Sequence, residues 1–328
     1  MFSKSQRWFF LFLVYFVTGM SACKSDAHTR LKLAHALDTT HPVHKAMDFM
    51  ANKVMKDSDG QIEISIYPSQ QLGTERECLE LLQIGIVDIT KVSAAVMEGI
   101  VPEFAVLSLP YIFKNREQYF RVLDGPVGEQ LLLAGNAYWL QGLCYYDAGS
   151  RSFYSRDKLI QKPEDLAGLK IRVMLSNTAM RMIRYLGGSA TPISWGELYT
   201  ALQGGVVDAA ENNPPSFYLS RHYEVCKYYA LDEHASIPDV LVIGTRTWDR
   251  LGGYEQKIIK EAALESAIFQ RKLWADSEER TLEELKKAGV EISYPDKEPF
   301  MKMVQPMYES YQNDPKMYDL IQSIRNTD

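Results

Sequence analysis

An α/β fold of two similar lobes is predicted by three observations. Apolar runs of period two alternate along the chain with runs at helical spacing, the pattern of sheets layered with helices. The 328 residues exceed the roughly 250–300 at which a single hydrophobic core stops growing. A seven-residue segment also recurs 120 positions on: Leu82-Gln83-Ile84-Gly85-Ile86-Val87-Asp88, then Leu202-Gln203-Gly204-Gly205-Val206-Val207-Asp208. Each copy reads as a helix end, a glycine that permits a left-handed turn, and a strand start. Turn chemistry alone could spell this twice. The reading that bears on function is one helix–turn–strand unit in each lobe. Ligands of open α/β sheets sit beyond the carboxyl ends of strands, so residues 90–93 and 210–213 would face a shared cleft.

The elements follow in order. Residues 1–22 read as a secretory signal: Lys4 and Arg7, an apolar run over 8–17, then small residues. The run is shorter than the roughly 20 residues that span a bilayer. Ser21-Ala22-Cys23 resembles a lipobox with Met20 in the usual place of Leu. Cys23 is therefore expected to be lipidated as the first mature residue; plain cleavage near Ala22 is the alternative. Strands are expected over 31–37, 62–67, 87–92, 143–147, 169–174, 206–210 and 240–244. Helices are expected over 42–56, 75–83, 116–123, 127–135, 177–186 and 195–203, and residues 248–288 read as long and helix-rich. No low-complexity linker divides the chain, so the lobes are joined by several crossings.

Composition narrows the function. With 46% hydrophobic and 24% charged residues, the chain is an ordinary globular one. Loss of residues 1–22 leaves 34 basic against 42 acidic residues, a net of −8. No basic block invites nucleic acid. Cys78, Cys144 and Cys226 form no CxxC and read as buried small hydrophobes rather than zinc ligands. His41 and His44 lack a third ligand cluster, so no metal is expected. There is no Gly-x-Ser-x-Gly elbow, Walker loop or dinucleotide fingerprint, and no cofactor is implied.

The polar residues near strand ends carry the chemistry. Arg172 lies in an otherwise apolar strand, and Arg151 follows a glycine just past one. An inward guanidinium needs an anionic partner, and its planar fork suits a carboxylate. A protein carboxylate or solvent could serve as well as a ligand. Glu211-Asn212-Asn213-Pro214-Pro215 offers two amides on a stiff turn. His41 could donate to a ligand hydroxyl. Glu75, in a first helical turn, could reach a cleft. Lys91 interrupts an apolar strand, and Ser93 ends it. Asp232-Glu233-His234 forms a short polar patch, with Glu233 a candidate contact.

Several of these stretches together resemble a known family. Gly168-Leu169-Lys170-Ile171-Arg172-Val173, Ala201-Leu202-Gln203 with Val207-Asp208 and Glu211-Asn212, and Tyr67-Pro68-Ser69-x-Gln71-Leu72-Gly73 are similar to solute-binding proteins of tripartite ATP-independent periplasmic (TRAP) transporters, dicarboxylate-binding type. Leu109-Pro110-Tyr111 and Tyr223-Glu224-Val225 fit as well. The resemblance implies a two-lobed periplasmic-binding-protein-like fold of type II, with a long bracing helix. It implies lobes of residues 23–148 plus 238–277 and 149–237 plus 278–328. It implies a periplasmic, non-enzymatic receptor for a small organic acid, which partners membrane permease subunits and meets the membrane only through an anchor at Cys23. Arg172 would clamp the ligand carboxylate, with Arg151, Asn212 and Glu75 as further contacts. The runs 147–154 and 211–218 are similar to members that take hexuronates such as glucuronate or galacturonate. Sialic acid and C4-dicarboxylates stay as alternatives, as does a uronate-handling enzyme. Ala36 and Ser93 stand where sialate binders tend to be polar or acidic, which disfavours sialate.

Overall fold

The computed structural model describes residues 28–327, so the expected signal segment and Cys23 lie outside the described residues. The chain opens with β1 (Thr29–Ala34), α1 (Pro42–Asp57), β2 (Ile62–Tyr67), α2 (Glu75–Ile84) and β3 (Ile89–Ser93). In β1, Leu31 and Leu33 are buried while Arg30 and Lys32 face water, the period-two signature of a half-covered strand. Helix α1 starts on the side-chain cap of His41 with Pro42 in its first turn, and buries Val43, Ala46, Met47, Met50 and Val54 against the sheet. Thr74 and Glu77 cap α2 reciprocally. Then come α3 (Ala94–Met97), a 3₁₀ segment (Pro102–Ser108), α4 (Arg116–Asp124), α5 (Pro126–Ala134) and β4 (Leu140–Tyr146).

The second half repeats the plan. It contains β5 (Arg151–Ser155), β6 (Lys170–Val173), α6 (Asn177–Tyr185), β7 (Ser189–Pro192), α7 (Leu198–Gln203), β8 (Ala209–Asn212), α8 (Pro214–Leu219) and β9 (Tyr228–Ala235). The chain returns through β10 (Asp239–Gly244), α9 (Thr245–Trp248) and α10 (Gly253–Lys287), and ends with β11 (Glu291–Ser293), α11 (Glu298–Glu309) and α12 (Pro315–Arg325).

Among the described residues the sheets run β2-β1-β3-β10-β4 and β7-β6-β8-β5-β9-β11. Each places a first parallel strand between two others, β1 between β2 and β3, β6 between β7 and β8. Each then takes in an antiparallel strand that starts beside the junction between the halves, β10 in one and β5 in the other. The repeated segment is a repeated structure. Gly85 and Gly205 both adopt left-handed backbone, at φ 77° and 68°, which glycine reaches without steric penalty. After them, Ile86 N donates to Leu81 O and Val206 N to Ala201 O, each at 2.9 Å.

The 35-residue α10, roughly 50 Å long at 1.5 Å per residue, braces both halves. Its early residues Ile258, Ile259, Ala262 and Ala263 join the core of the first lobe, and Leu285 that of the second. The first crossing, after β4, is strapped to it: Asp147 N donates to Gln270 Oε1, and Gln270 Nε2 to Asp147 O. Gly149 there has φ 57°, and a Cβ would lie 2.7 Å from Glu278 Oε1 and 2.9 Å from Trp274 Nε1.

One expectation needs correction, and three gain detail. The strand expected at 206–210 is β8, at Ala209–Asn212, because Val206 and Val207 are spent closing the glycine turn. Arg151, which follows β4 as expected, also opens β5. The polar patch 232–234 lies inside strand β9, whose alternation is masked by charged residues that pair internally. The last helix, α12, expected in the second lobe, also lies against the 3₁₀ segment and α5 of the first, and Gln118 Nε2 of α4 donates to Ile324 O and Thr327 O. Cys78, Cys144 and Cys226 are buried free thiols, as their spacing suggested.

Candidate functional site

A cleft of about 920 Å³, open solvent at its mouth included, lies between the lobes. Its walls come from the carboxyl ends of the parallel strands in both halves. Ala36 and Leu37 follow β1, Lys91 and Ser93 end β3, Arg172 and Met174 end β6, and Asn212 and Asn213 end β8. The two crossings add Ala148, Arg151, Ile237 and Asp239. This is where an open α/β sheet receives a ligand.

Arg172 is 2% exposed. Its Nε donates to Ile193 O at 2.9 Å, and its Nη1 has no hydrogen-bond partner among the described residues. Its guanidinium sits 5.9 Å from the centre of the Trp195 ring. Burial pushes its pKa down, with Glu211 only partly offsetting this. A buried cation with an unmet donor is costly unless an anion joins it.

Arg151 is different. Its Nη2 donates to Glu211 Oε1 at 2.9 Å and Glu211 O at 2.8 Å, its Nε to Glu211 Oε2, and its Nη1 to Asn212 Oδ1 at 2.9 Å. Burial works against its charge, but Glu211 outweighs it and raises the pKa. Behind this pair stands His234, with Nδ1 2.9 Å from Asp232 Oδ2 and Nε2 3.6 Å from Glu211 Oε2. Burial alone would discharge the imidazole; the two carboxylates outweigh it and raise its pKa to about 9. Glu211 in turn falls to about 2: burial would raise it, and Arg151 and His234 prevail. The second lobe thus carries a compensated chain of charges that holds Asn212. The Asn212 Oδ1 also accepts from Asn213 N at 2.9 Å, which leaves the amide nitrogen for the cleft.

The remaining candidates sort by place. Asn213 and Ser93 line the cleft while capping α8 and α3 through Ser216 N and Ala95 N. His41 uses Nδ1 to accept from Val43 N at 3.2 Å, so the proton sits on Nε2, 3.3 Å from Ser216 Oγ in the other lobe. Burial holds its pKa down at about 3, and it is neutral. Lys91 Nζ donates to Glu75 Oε1 at 2.9 Å and Asp239 Oδ1 at 3.2 Å. Glu211 does not line the cleft; it acts through Arg151. Glu233 is away from the cleft, half exposed and paired with Lys297.

Sequence reading missed Asp239 and Trp195. Asp239 opens a strand that otherwise reads as plain core, and Trp195 stands at the very start of the helix expected over 195–203, where periodicity does not say which way it faces. Another missed residue spans the lobes: Glu98 accepts from Ser176 Oγ at 2.7 Å and from Thr178 N at 2.9 Å. A carboxylate of the first lobe thereby satisfies the start of a helix in the second.

Comparison with known proteins agrees with this architecture. The family model for bacterial extracellular solute-binding protein, family 7, matches residues 33–314. An uncharacterised protein of Salmonella typhimurium, YiiZ, is 42% identical over 92% of this chain and 92% of its own. The sialic acid-binding periplasmic protein SiaP of Vibrio cholerae is 28% identical over 90% of this chain and 92% of its own. Among solved structures, a TRAP periplasmic solute-binding protein of Xanthobacter autotrophicus with bound β-D-galacturonate is 37% identical. It has a TM-score of 0.88 and covers 91% of this chain and 100% of that one. One from Chromohalobacter salexigens with bound D-glucuronate has 34% identity, the same TM-score of 0.88, and the same coverage of 91% and 100%.

Proposed function

The chain belongs to bacterial extracellular solute-binding protein family 7, and within that family we propose a periplasmic receptor that closes on a hexuronate, glucuronate or galacturonate, and delivers it to TRAP membrane permease subunits. The carrying observation is Arg172, a buried guanidinium that faces the cleft without an acid of its own. The ligand carboxylate docks there as a charge-assisted, bidentate contact. The Trp195 ring beside it offers an apolar platform for the sugar ring. Hydroxyls of the sugar meet the Asn212 amide on one lobe and the Glu75 and Asp239 carboxylates on the other. Because those groups belong to opposite lobes, a bound sugar acid favours the closed form by its differential affinity for it. The similarity to galacturonate- and glucuronate-bound proteins supports the hexuronate reading.

Binding without turnover fits the electrostatics. The acids of the cleft are ion-paired and His41 is held neutral by burial. An anchor at Cys23 belongs to the same proposal. A thermal-shift series of the mature protein tests the function. Galacturonate or glucuronate should raise the midpoint in proportion to the logarithm of ligand concentration. Stabilisation by sialate or succinate, with none by either uronate, would overturn it.

A further inference from the structure

The charges lining the cleft fall into two unlike groups. In the second lobe, Arg172 makes no ion pair among the described residues and keeps an unmet Nη1. In the first lobe and the crossing beside it, a single cation serves two acids, Lys91 between Glu75 and Asp239. Lys91 is 3% exposed, so this trio sits in a poorly screened place. The other cations lining the cleft have partners in the protein. Arg151 is matched by Glu211. Arg76, more exposed than Arg151, gives Nε to Glu80 Oε1 at 2.8 Å and Nη1 to Gly99 O at 2.9 Å.

We propose that Glu75 and Asp239 act as a charge filter: the cleft accepts polyhydroxy acids that carry one carboxylate and refuses those of the same carbon skeleton that carry two. The inference rests on the reading that Arg172 holds the first carboxylate. An ionised carboxylate only accepts hydrogen bonds; burial pushes the Asp239 carboxyl up, and the Lys91 ammonium beside it works to keep it ionised. A ligand hydroxyl can donate to Glu75 or Asp239. A second ligand carboxylate can donate to neither, and beside these two acids the one charged donor left for it is the Lys91 N–H that they leave over. It would lose its hydration and meet like charge, and rejection by an opposed charge is how a site discriminates between similar ligands.

The test is calorimetric titration of the mature protein at pH 7.5 with D-galacturonate and galactarate, which differ in the oxidation of C1 to a carboxylate. D-erythronate and meso-tartrate form a second, smaller pair that separates charge from size. The diacid of each pair should bind at least about 100-fold more weakly than its monoacid. Glu75→Gln, which keeps shape and removes the charge, should narrow that ratio at least about tenfold, as should Asp239→Asn. Diacid affinity within about threefold of the monoacid in the unmutated protein would overturn the filter and leave carboxylate docking intact. An unchanged ratio in variants that still bind galacturonate would do the same. Failure of every acid to bind would overturn the docking reading and the filter together. The ratios of the unmutated protein decide the matter should either variant not fold.

Discussion

Arg151 and Glu211 face each other as a two-point ion pair inside the second lobe, Nη2 to Oε1 at 2.9 Å and Nε to Oε2. That pairing separates the two arginines of the cleft. Arg151 is a neutralised support for Asn212, while Arg172, in the neighbouring part of the same sheet, keeps an unmet donor.

Glu211→Gln leaves Arg151 buried without its counter-charge. The expected loss is about 3–5 kcal/mol of folding stability. Urea denaturation followed by far-UV circular dichroism measures it. A change under about 1 kcal/mol would mean that Asn212 and the backbone suffice to hold the guanidinium.

His234 makes stability fall on the alkaline side. Its folded pKa, about 9, is above the usual value near 6.5. The stability it contributes is whole below about pH 6.5 and is lost as pH rises to about 9. A His234→Gln protein should be less stable at pH 6 and should lose this part of the slope between pH 7 and 9. Parallel melting curves for the two proteins would contradict the assignment.

Three buried histidines act on the acid side. Burial lowers His35 to about 2, and His41 and His222 to about 3. Unfolded histidine takes up a proton near pH 6.5 while these do not, so stability is present above that value and is lost as pH falls towards 3. The melting midpoint should therefore decline below about pH 6.5, and His222→Phe should flatten the decline. A midpoint constant from pH 7 to 4 would rule this out.

Glu98 ties the lobes across the cleft through Ser176 and Thr178. Glu98→Ala should cost about 1–2 kcal/mol and shift the ligand-free protein towards an open form. Small-angle scattering should then give a larger radius of gyration without ligand than the unmutated protein shows. Equal radii would remove Glu98 from the closure.

Much of the fold is legible from periodicity because both sheets have long apolar strands bounded by turn residues. Ile62–Tyr67 falls where its alternation puts it. The repeat centred on Gly85 and Gly205 also foretells the cleft. Its aspartates keep one role in each lobe: Asp88 Oδ2 accepts from Lys32 N, and Asp208 Oδ2 from Lys170 N, both at 2.8 Å. Polar strands were harder. Strand β9 carries Asp232 and His234 fully buried, which is tolerable because they pair with each other, Asp232 accepts from Phe153 N and His234 lies by Glu211. The same holds for the site. Arg172 and Lys91 announce themselves as charges in apolar strands. Whether each meets a protein acid depends on Glu211, Glu75 and Asp239, which come from distant segments, so local sequence does not say which cation each one pairs with. Glu233 fails for the converse reason: beside buried acids in sequence, it turns outward at φ 48° to meet Lys297.

The most direct measurement is calorimetric titration of D-galacturonate and D-glucuronate into the unmutated protein and into Arg172→Ala and Arg172→Lys. The unmutated protein should bind at least one of the two. Arg172→Ala should lose about 3–5 kcal/mol of binding free energy to it, and Arg172→Lys should recover only part, since an ammonium lacks the planar fork. Affinity within about 1 kcal/mol of the unmutated value in Arg172→Ala would contradict the carboxylate clamp.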